Sequence, residues 1–295
     1  MSAKKSRTKK KTKSKRASRA PSYDQSFRVA SDSSQSVKAR VAEIDKLATA
    51  ICDDDKVFQG TLAMLRDISE PSAVRRAALR TLQASSFSVV AFNARRSSYL
   101  SALRKFTDDE DLEIRQSVLG MLAREHDGHA QQLLLEGLED PSRALLPPEK
   151  ALQLLSYDVH AEAYPVARKI VKKPPNPQAK REALRLLGGD TGSTALFESV
   201  LRNKKEEPEL RRISAAALQT LKPSALQEYA REIVLDDNED DDVRATSLTV
   251  LSQFGDAAEL ARDEKLHAKT SKLKSAGTAA VKRGAKAFLA KYYDE

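Results

Sequence analysis

The feature that most constrains this chain is a nine-residue pattern that recurs six times between residues 74 and 251. Val74-Arg75-Arg76-Ala77-Ala78-Leu79-Arg80-Thr81-Leu82 and Ile213-Ser214-Ala215-Ala216-Ala217-Leu218-Gln219-Thr220-Leu221 share the form aliphatic-x-x-Ala-Ala-Leu-x-Thr-Leu. Pro147 to Leu155 matches Ala179 to Leu187, and Ile114 to Leu122 and Val243 to Leu251 complete the set. Aligned on their sixth position, the anchors Leu79, Leu119, Leu152, Leu184, Leu218 and Leu248 are 40, 33, 32, 34 and 30 residues apart. Apolar residues at three- and four-residue steps make each copy one face of a helix, and a fixed period near this length is the mark of stacked repeats. Before each copy lies a second segment with the same spacing: Val57 to Leu65, Tyr99 to Phe106, Ala130 to Leu138, Tyr164 to Val171, Ala195 to Leu201 and Leu226 to Leu235. Polar turns such as Asp67 to Ser72, Asn203 to Pro208 and Asp236 to Asp242 separate the two members of a pair.

A single helix pair cannot bury both its faces, so neighbours must supply the core. The fold expected is all-α, a right-handed α-solenoid of about six helix pairs with helical caps. Residues 53–255 form the array. Residues 37–52, with Val41, Ile44, Leu47 and Ile51 at helical spacing, form an N-terminal cap, and residues 256–295 form a basic C-terminal helical segment. Within the latter, Val281, Ala285, Phe288, Leu289 and Tyr292 share a stripe, and Gly277 marks a break before it.

Charge is distributed unevenly. The chain carries 51 Lys+Arg against 42 Asp+Glu, a formal net charge of +9. Residues 1–20 hold ten of the cations (Lys4, Lys5, Arg7, Lys9, Lys10, Lys11, Lys13, Lys15, Arg16, Arg19) and no acid, which leaves −1 for the other 275 residues. Residues 262–295 carry +5 and residues 21–261 carry −6, so the body is mildly acidic between basic ends. The first 20 residues contain no Leu, Ile, Val or aromatic and can bury nothing, and a Ser-rich linker follows. Residues 1–36 are therefore expected to be a disordered polybasic and Ser-rich tail, with order beginning near Val37. No apolar stretch has the length of a secretory core or a membrane span, and one cysteine cannot form an internal disulfide, so the expected location is cytoplasmic, or nuclear in a eukaryote.

The second helices resemble those of HEAT repeats, especially the short bacterial kind in which an Asp-rich turn precedes aliphatic-Arg-x-x-Ala-Leu-x-x-Leu. Asp109 to Leu122 and Asp241 to Leu251 carry the pattern, with Val118 and Ser247 at its Ala position, and the resemblance covers residues 53–254. It departs in the third copy, where Pro148 stands at the Arg position, and in the fifth, where Ser214 does and Arg211 and Arg212 lie one turn earlier. The family contains scaffolds, adaptors, transport receptors and a few enzymes, so the resemblance implies architecture more than activity. Deoxyhypusine hydroxylase holds iron through His-Glu dyads, and no His-Glu dipeptide occurs here. HEAT-like DNA glycosylases use Trp, which is absent. For the bilin lyases only the shared repeat speaks.

Other chemistry is sparse. Among His126, His129, His160 and His267 only the first two are close, and they fall in a turn between repeats, short of the three convergent ligands of a metal site. Cys52 precedes Asp53, Asp54 and Asp55, which should raise its pKa and leave it unreactive. The glycines of Leu187 to Gly192 follow a helix and lack a P-loop Lys, so they read as a helix end. The acidic runs Asp53 to Asp55, Asp108 to Asp111 and Asp236 to Asp242 read as helix N-terminal charge with local contacts, such as Asp111 with Arg115 and Asp242 with Arg244, or else as a rim that attracts a basic partner or the chain's own tails. The expectation is a scaffold or adaptor that is not an enzyme, has no cofactor or metal, and binds a protein partner through its concave face. Arg75, Arg76, Arg80, Arg115, Lys180, Arg181, Arg185, Arg211 and Arg212 are candidate binding residues there. The ten tail cations would tether it to nucleic acid or another polyanion by counterion release. The alternatives are nucleic-acid binding by the solenoid itself and a HEAT-fold enzyme of lyase or glycosylase type.

Overall fold

The structure, a computed structural model, describes residues 23–157 and 161–293. The ten tail cations and His160 lie outside them. Among the described residues there are eighteen α-helices and no strand. The chain divides into two compact units, residues 1–102 and 103–295.

The first unit contains α1 (Tyr23–Ser31), α2 (Val37–Ile44), α3 (Ala48–Asp53), α4 (Asp55–Arg66), α5 (Ser72–Ser86) and all but the last residue of α6 (Val89–Leu103). Helix α1 pairs with α2 and α4 with α5, and α2 packs on α5. The second unit contains α7 (Leu112–Arg124), α8 (Gly128–Glu139), α9 (Pro148–Leu155), α10 (Tyr164–Lys172), α11 (Pro177–Leu186), α12 (Thr194–Arg202), α13 (Pro208–Leu221), α14 (Pro223–Leu235), α15 (Asp241–Phe254), α16 (Ala257–Leu260), α17 (Glu264–Leu273) and α18 (Ala279–Tyr292). Its second helices α7, α9, α11, α13, α15 and α18 pack in succession, each layered with its own first helix from α8/α9 to α17/α18.

The turns specify where these helices start. Ser36, Asp54, Asp111, Asp127, Asn176, Asp240, Asp263 and Thr278 each accept a hydrogen bond from a backbone N–H of the first turn of α2, α4, α7, α8, α11, α15, α17 and α18. Proline, which lacks the donor that a first turn leaves unused, begins α9, α11, α13 and α14. Pro148 is thus the first residue of α9, which is why that copy starts late and lacks a cation. Gly277 adopts a left-handed φ of 90° before α18, where a side chain would be strained, and Thr278 N–H then donates to Asp241 of α15 at 2.9 Å. Each second helix buries the same positions: Val74, Leu79 and Leu82 in α5, Ile114, Leu119 and Leu122 in α7, Val243, Leu248 and Leu251 in α15. A fully buried aliphatic side chain of this kind contributes about 1.5–3 kcal/mol.

Three expectations need correction. Residues 21–36 are not all linker: α1 occupies Tyr23–Ser31, buries Ala30 and sets Phe27 against α4. Its few apolar residues give no strong period by themselves, and tertiary packing decides the outcome. Helix pairing also extends beyond residues 53–255, because α1/α2 and α17/α18 are pairs in their own right. The same correction applies to residues 37–52, which hold two helices, α2 and most of α3, rather than one cap. The third correction concerns the fifth copy, whose alignment slips by three residues, as the arginine geometry shows.

Candidate protein-binding face

One arrangement repeats through the structure and fixes the register of the copies. Arg75 Nε donates to Leu65 O at 3.0 Å, ten residues back, so the second helix grips the last turn of the first. Arg40 Nε does the same to Ala30 O (2.9 Å) and Arg211 Nε to Leu201 O (2.7 Å). Arg211, not Ser214, is therefore the equivalent of Arg75. Ala215 then replaces Leu218 as the anchor of α13, and the last two intervals become 31 and 33 residues. A match of small and aliphatic residues three positions apart had imitated the repeat, because three residues are nearly one turn.

The outer nitrogens of these cations reach the turn of the following pair. Arg40 donates from both Nη1 and Nη2 to Glu70 (2.7 and 2.6 Å), Arg211 likewise to Glu239, and Lys180 Nζ donates to both oxygens of Glu206 at 2.6 Å. The acid is placed by an Asx turn. Ser69 N–H donates to Asp67 Oδ1 (2.9 Å), Lys205 N–H to Asn203 Oδ1 (3.1 Å) and Asn238 N–H to Asp236 Oδ1 (2.9 Å), with the glutamate three residues after the Asx each time. These glutamates were not among the expected site residues. The signal that could have found them is Asp/Asn-x-x-Glu, present as Asp67 to Glu70, Asn203 to Glu206 and Asp236 to Glu239.

The nine nominated cations consequently separate by role. Arg75 and Arg211 are buried, and Lys180 is held in the ladder. Arg115 spends its guanidinium on backbone oxygens, with Nε donating to Leu145 O and Nη1 to Asp109 O, both at 2.8 Å. The expected partner Asp111 instead caps α7, and Asp242 pairs with Arg212 of the preceding second helix while Arg244 pairs with Asp241. Arg76, Arg80, Arg181, Arg185 and Arg212 stand one and five positions after the ladder residue, on the outward side of the second helices. There Arg80 meets Asp45, Arg181 meets Glu207 and Glu209, Arg185 meets Glu182 and Glu209, and Arg212 meets Asp242. Within each unit these outward cations stand among carboxylates, so the outward side of its second helices alternates in charge.

In the second unit this face carries a groove of about 470 Å³ between α13, α15 and α18. Its floor is made of small side chains, Ala245, Thr246, Thr249 and Ala280 among them, and Gly284, where a Cβ would lie 3.1 Å from Leu248 Cβ. Arg212, Asp242 and Arg283 stand at its rim. Thr246 and Thr249 return their hydroxyls to Asp242 O and Ala245 O, so the floor is neutral. A larger hollow of about 690 Å³ lies by α14 and α16, where Gln227, Arg231 and Glu259 are already engaged: Gln227 with Glu259 and Asp256 N–H, and Arg231 with Asp263.

The remaining candidates fall in structural roles. His126, at a left-handed φ of 53°, is exposed in the α7–α8 turn, His129 is exposed at the start of α8, and His267 stacks on Tyr293 at 4.2 Å. No group of three or more His, Cys, Asp or Glu is placed to hold a metal ion among the described residues. Burial, followed by Asp53, pushes the Cys52 thiol up. Asp127 shows opposed effects: burial raises its pKa, but the Arg104 guanidinium and Ala130 N–H outweigh it and hold the carboxyl below its ordinary value. Asp263 is held low by Arg231, and Asp236 by Lys204. Among the described residues no helix is long and apolar enough to cross a membrane.

Stacked helix pairs and a recurring arginine that ties the second helix to the first together decide the architecture. The fold is HEAT-like. Solved structures similar to this HEAT-like chain include human deoxyhypusine hydroxylase with glycerol (14% identity, TM-score 0.35, covering 85% of this chain and 100% of that one). Another is the complex of CpcE and CpcF of phycocyanin lyase from Nostoc (15% identity, TM-score 0.31, covering 93% and 97%). No family model and no curated protein matches the sequence. The two structures correct one expectation: both are of enzymes, so the statement that this chain is not an enzyme is withdrawn.

Proposed function

We propose that this HEAT-like protein is a scaffold or adaptor that seats a segment of a protein partner in the groove between α13, α15 and α18. The observation that carries the reading is the composition of that groove: a floor of Ala, Thr and Gly lets a backbone approach closely, and a rim of both signs offers partners to a polar chain. Buried arginines hold the helices behind it in fixed register, so the groove is preorganised, which reduces the ordering cost of binding.

The test uses the full chain with a photo-crosslinking residue at Thr249 in the groove or at Ser199, exposed on first helix α12. In an extract of the source cells the Thr249 probe should yield a discrete protein adduct that the Ser199 probe does not. Ala287→Trp, which fills the groove, should abolish it. Identical adducts from both positions, or an adduct indifferent to Ala287→Trp, would remove the support.

The polybasic segment supports a second element of the reading, a polyanion tether acting in the cytoplasm. Ten cations without an acid within residues 1–20 release counterions from nucleic acid regardless of sequence. Replacing all ten with Ser in the full chain should abolish binding of duplex DNA and of RNA homopolymer at low salt. Retention at physiological salt would transfer the role to the helical body.

A further inference from the structure

A different surface lies in the first unit. Phe87, Val89 and Val90 follow one another at the α5–α6 turn and are 74%, 66% and 92% exposed. Their neighbourhood is fixed by a set of polar contacts from α3: Ser85 Oγ donates to Ala48 O at 2.8 Å, Arg95 Nη1 donates to Cys52 O at 2.5 Å, and Cys52 Sγ lies 3.7 Å from Ser85 O. Phe92 of α6 meets Phe58 of α4 edge to face, with centroids 6.0 Å apart. These contacts hold the α3–α4 junction, with Asp53, Asp54 and Asp55 all exposed, beside the apolar turn. Of the nearby cations, Arg95 is turned over the Phe58 ring, 5.9 Å from its centroid, and Lys56 is exposed.

We propose that the α5–α6 turn and the α3–α4 junction together form a docking site for a cationic amphipathic segment of a protein, apolar on one side and lysine- or arginine-rich on the other. Charge complementarity chooses this occupant. An anionic bilayer or a nucleic acid would bring negative charge against three carboxylates. The chain's own residues 1–20 could meet the carboxylates but contain no Leu, Ile, Val or aromatic to cover Phe87, Val89 and Val90. A partner helix bearing leucines and lysines satisfies both halves of the surface, the helix-in-groove mode of recognition.

The test is fluorescence anisotropy of the full-length chain with a labelled synthetic amphipathic peptide of Leu and Lys, beside the same peptide with Glu for Lys. The Leu-Lys peptide should bind and the Leu-Glu peptide should not. Val90→Asp and, separately, Val89→Ser should weaken it about tenfold, equivalent to one pocket contact. The double change Asp53→Asn and Asp55→Asn should weaken it and flatten its salt dependence, with Asp54 kept because it caps α4. Equal affinity for the wild type and Val90→Asp would overturn the proposal, as would no binding. Concentration-dependent dimerisation lost in Val90→Asp would overturn it in favour of a second copy, and pelleting with phosphatidylserine vesicles lost in Val90→Asp in favour of a membrane.

Discussion

Arg211 and Glu239 show how much a single residue decides in this fold. Both side chains are almost wholly buried, Arg211 at 4% and Glu239 at 3% exposure, and each satisfies the other through two hydrogen bonds. Glu239→Ala would leave a buried guanidinium with only Leu201 O, and the expected loss is about 3–5 kcal/mol in urea unfolding. Arg212→Ala should cost about 0–1 kcal/mol, because the Arg212 side chain is 40% exposed and pairs with an exposed Asp242. The sequence showed Arg211 and Arg212 as equals. Only the carbonyl ten residues back tells the structural cation from the surface one. Asp127 makes the second residue-scale prediction. Its folded pKa lies below its ordinary value, so the stability it adds is present above about pH 4 and lost as pH falls through the folded pKa. Asp127→Asn should therefore be less stable than the wild type at pH 7 by about 1–3 kcal/mol, a deficit that shrinks below about pH 4. Urea midpoints of the two proteins across that range measure it.

At the scale of the element, α1 is the helix that periodicity did not reveal. Its only large apolar residues are Tyr23, Phe27 and Val29, too few to mark a face against the serines around them. The complementary mark sits in α4: Gly60, mid-helix, where an added Cβ would lie 2.2 Å from Phe27 Cζ. Glycine costs about 1 kcal/mol in a helix interior, and here it makes the space that α1 fills. Gly60→Val should displace Phe27 and loosen α1 while leaving α4 helical. Hydrogen exchange should accelerate over residues 23–31 and remain slow in α5. Unchanged protection of α1 would show that Phe27 can turn aside at no cost. The other helices were legible because their caps and apolar stripes agree, as Asp111 with Ile114, Leu119 and Leu122 do in α7.

At the scale of the molecule, the repeat period identified the stacked pairs, and its longest interval, the 40 residues from Leu79 to Leu119, is the one that spans the division near residue 102; spacing alone does not tell a longer turn from a boundary between units. The candidate face was only partly legible for a related reason: spacing gives the side of a helix, whereas the sign of a surface depends on which acids the neighbouring helix brings to it, as α13 brings Glu209 to Arg181 and Arg185. The ladder nonetheless occurs in both units, as Arg40 with Glu70 in the first and Arg211 with Glu239 in the second. In a repeat protein stability is close to a sum of each pair and its interfaces with neighbours. Glu70→Ala should cost about 2–3 kcal/mol, less than Glu239→Ala because Glu70 is nearer solvent. The two losses should add within about 0.5 kcal/mol in the double variant, since the pairs share no partner. Hydrogen exchange should localise each effect, with α2 and α5 deprotected by Glu70→Ala and α13 and α15 by Glu239→Ala. Loss of protection in both units from either single change would mean that the ladder couples them as one cooperative body, and the sum rule would then fail in the same experiment.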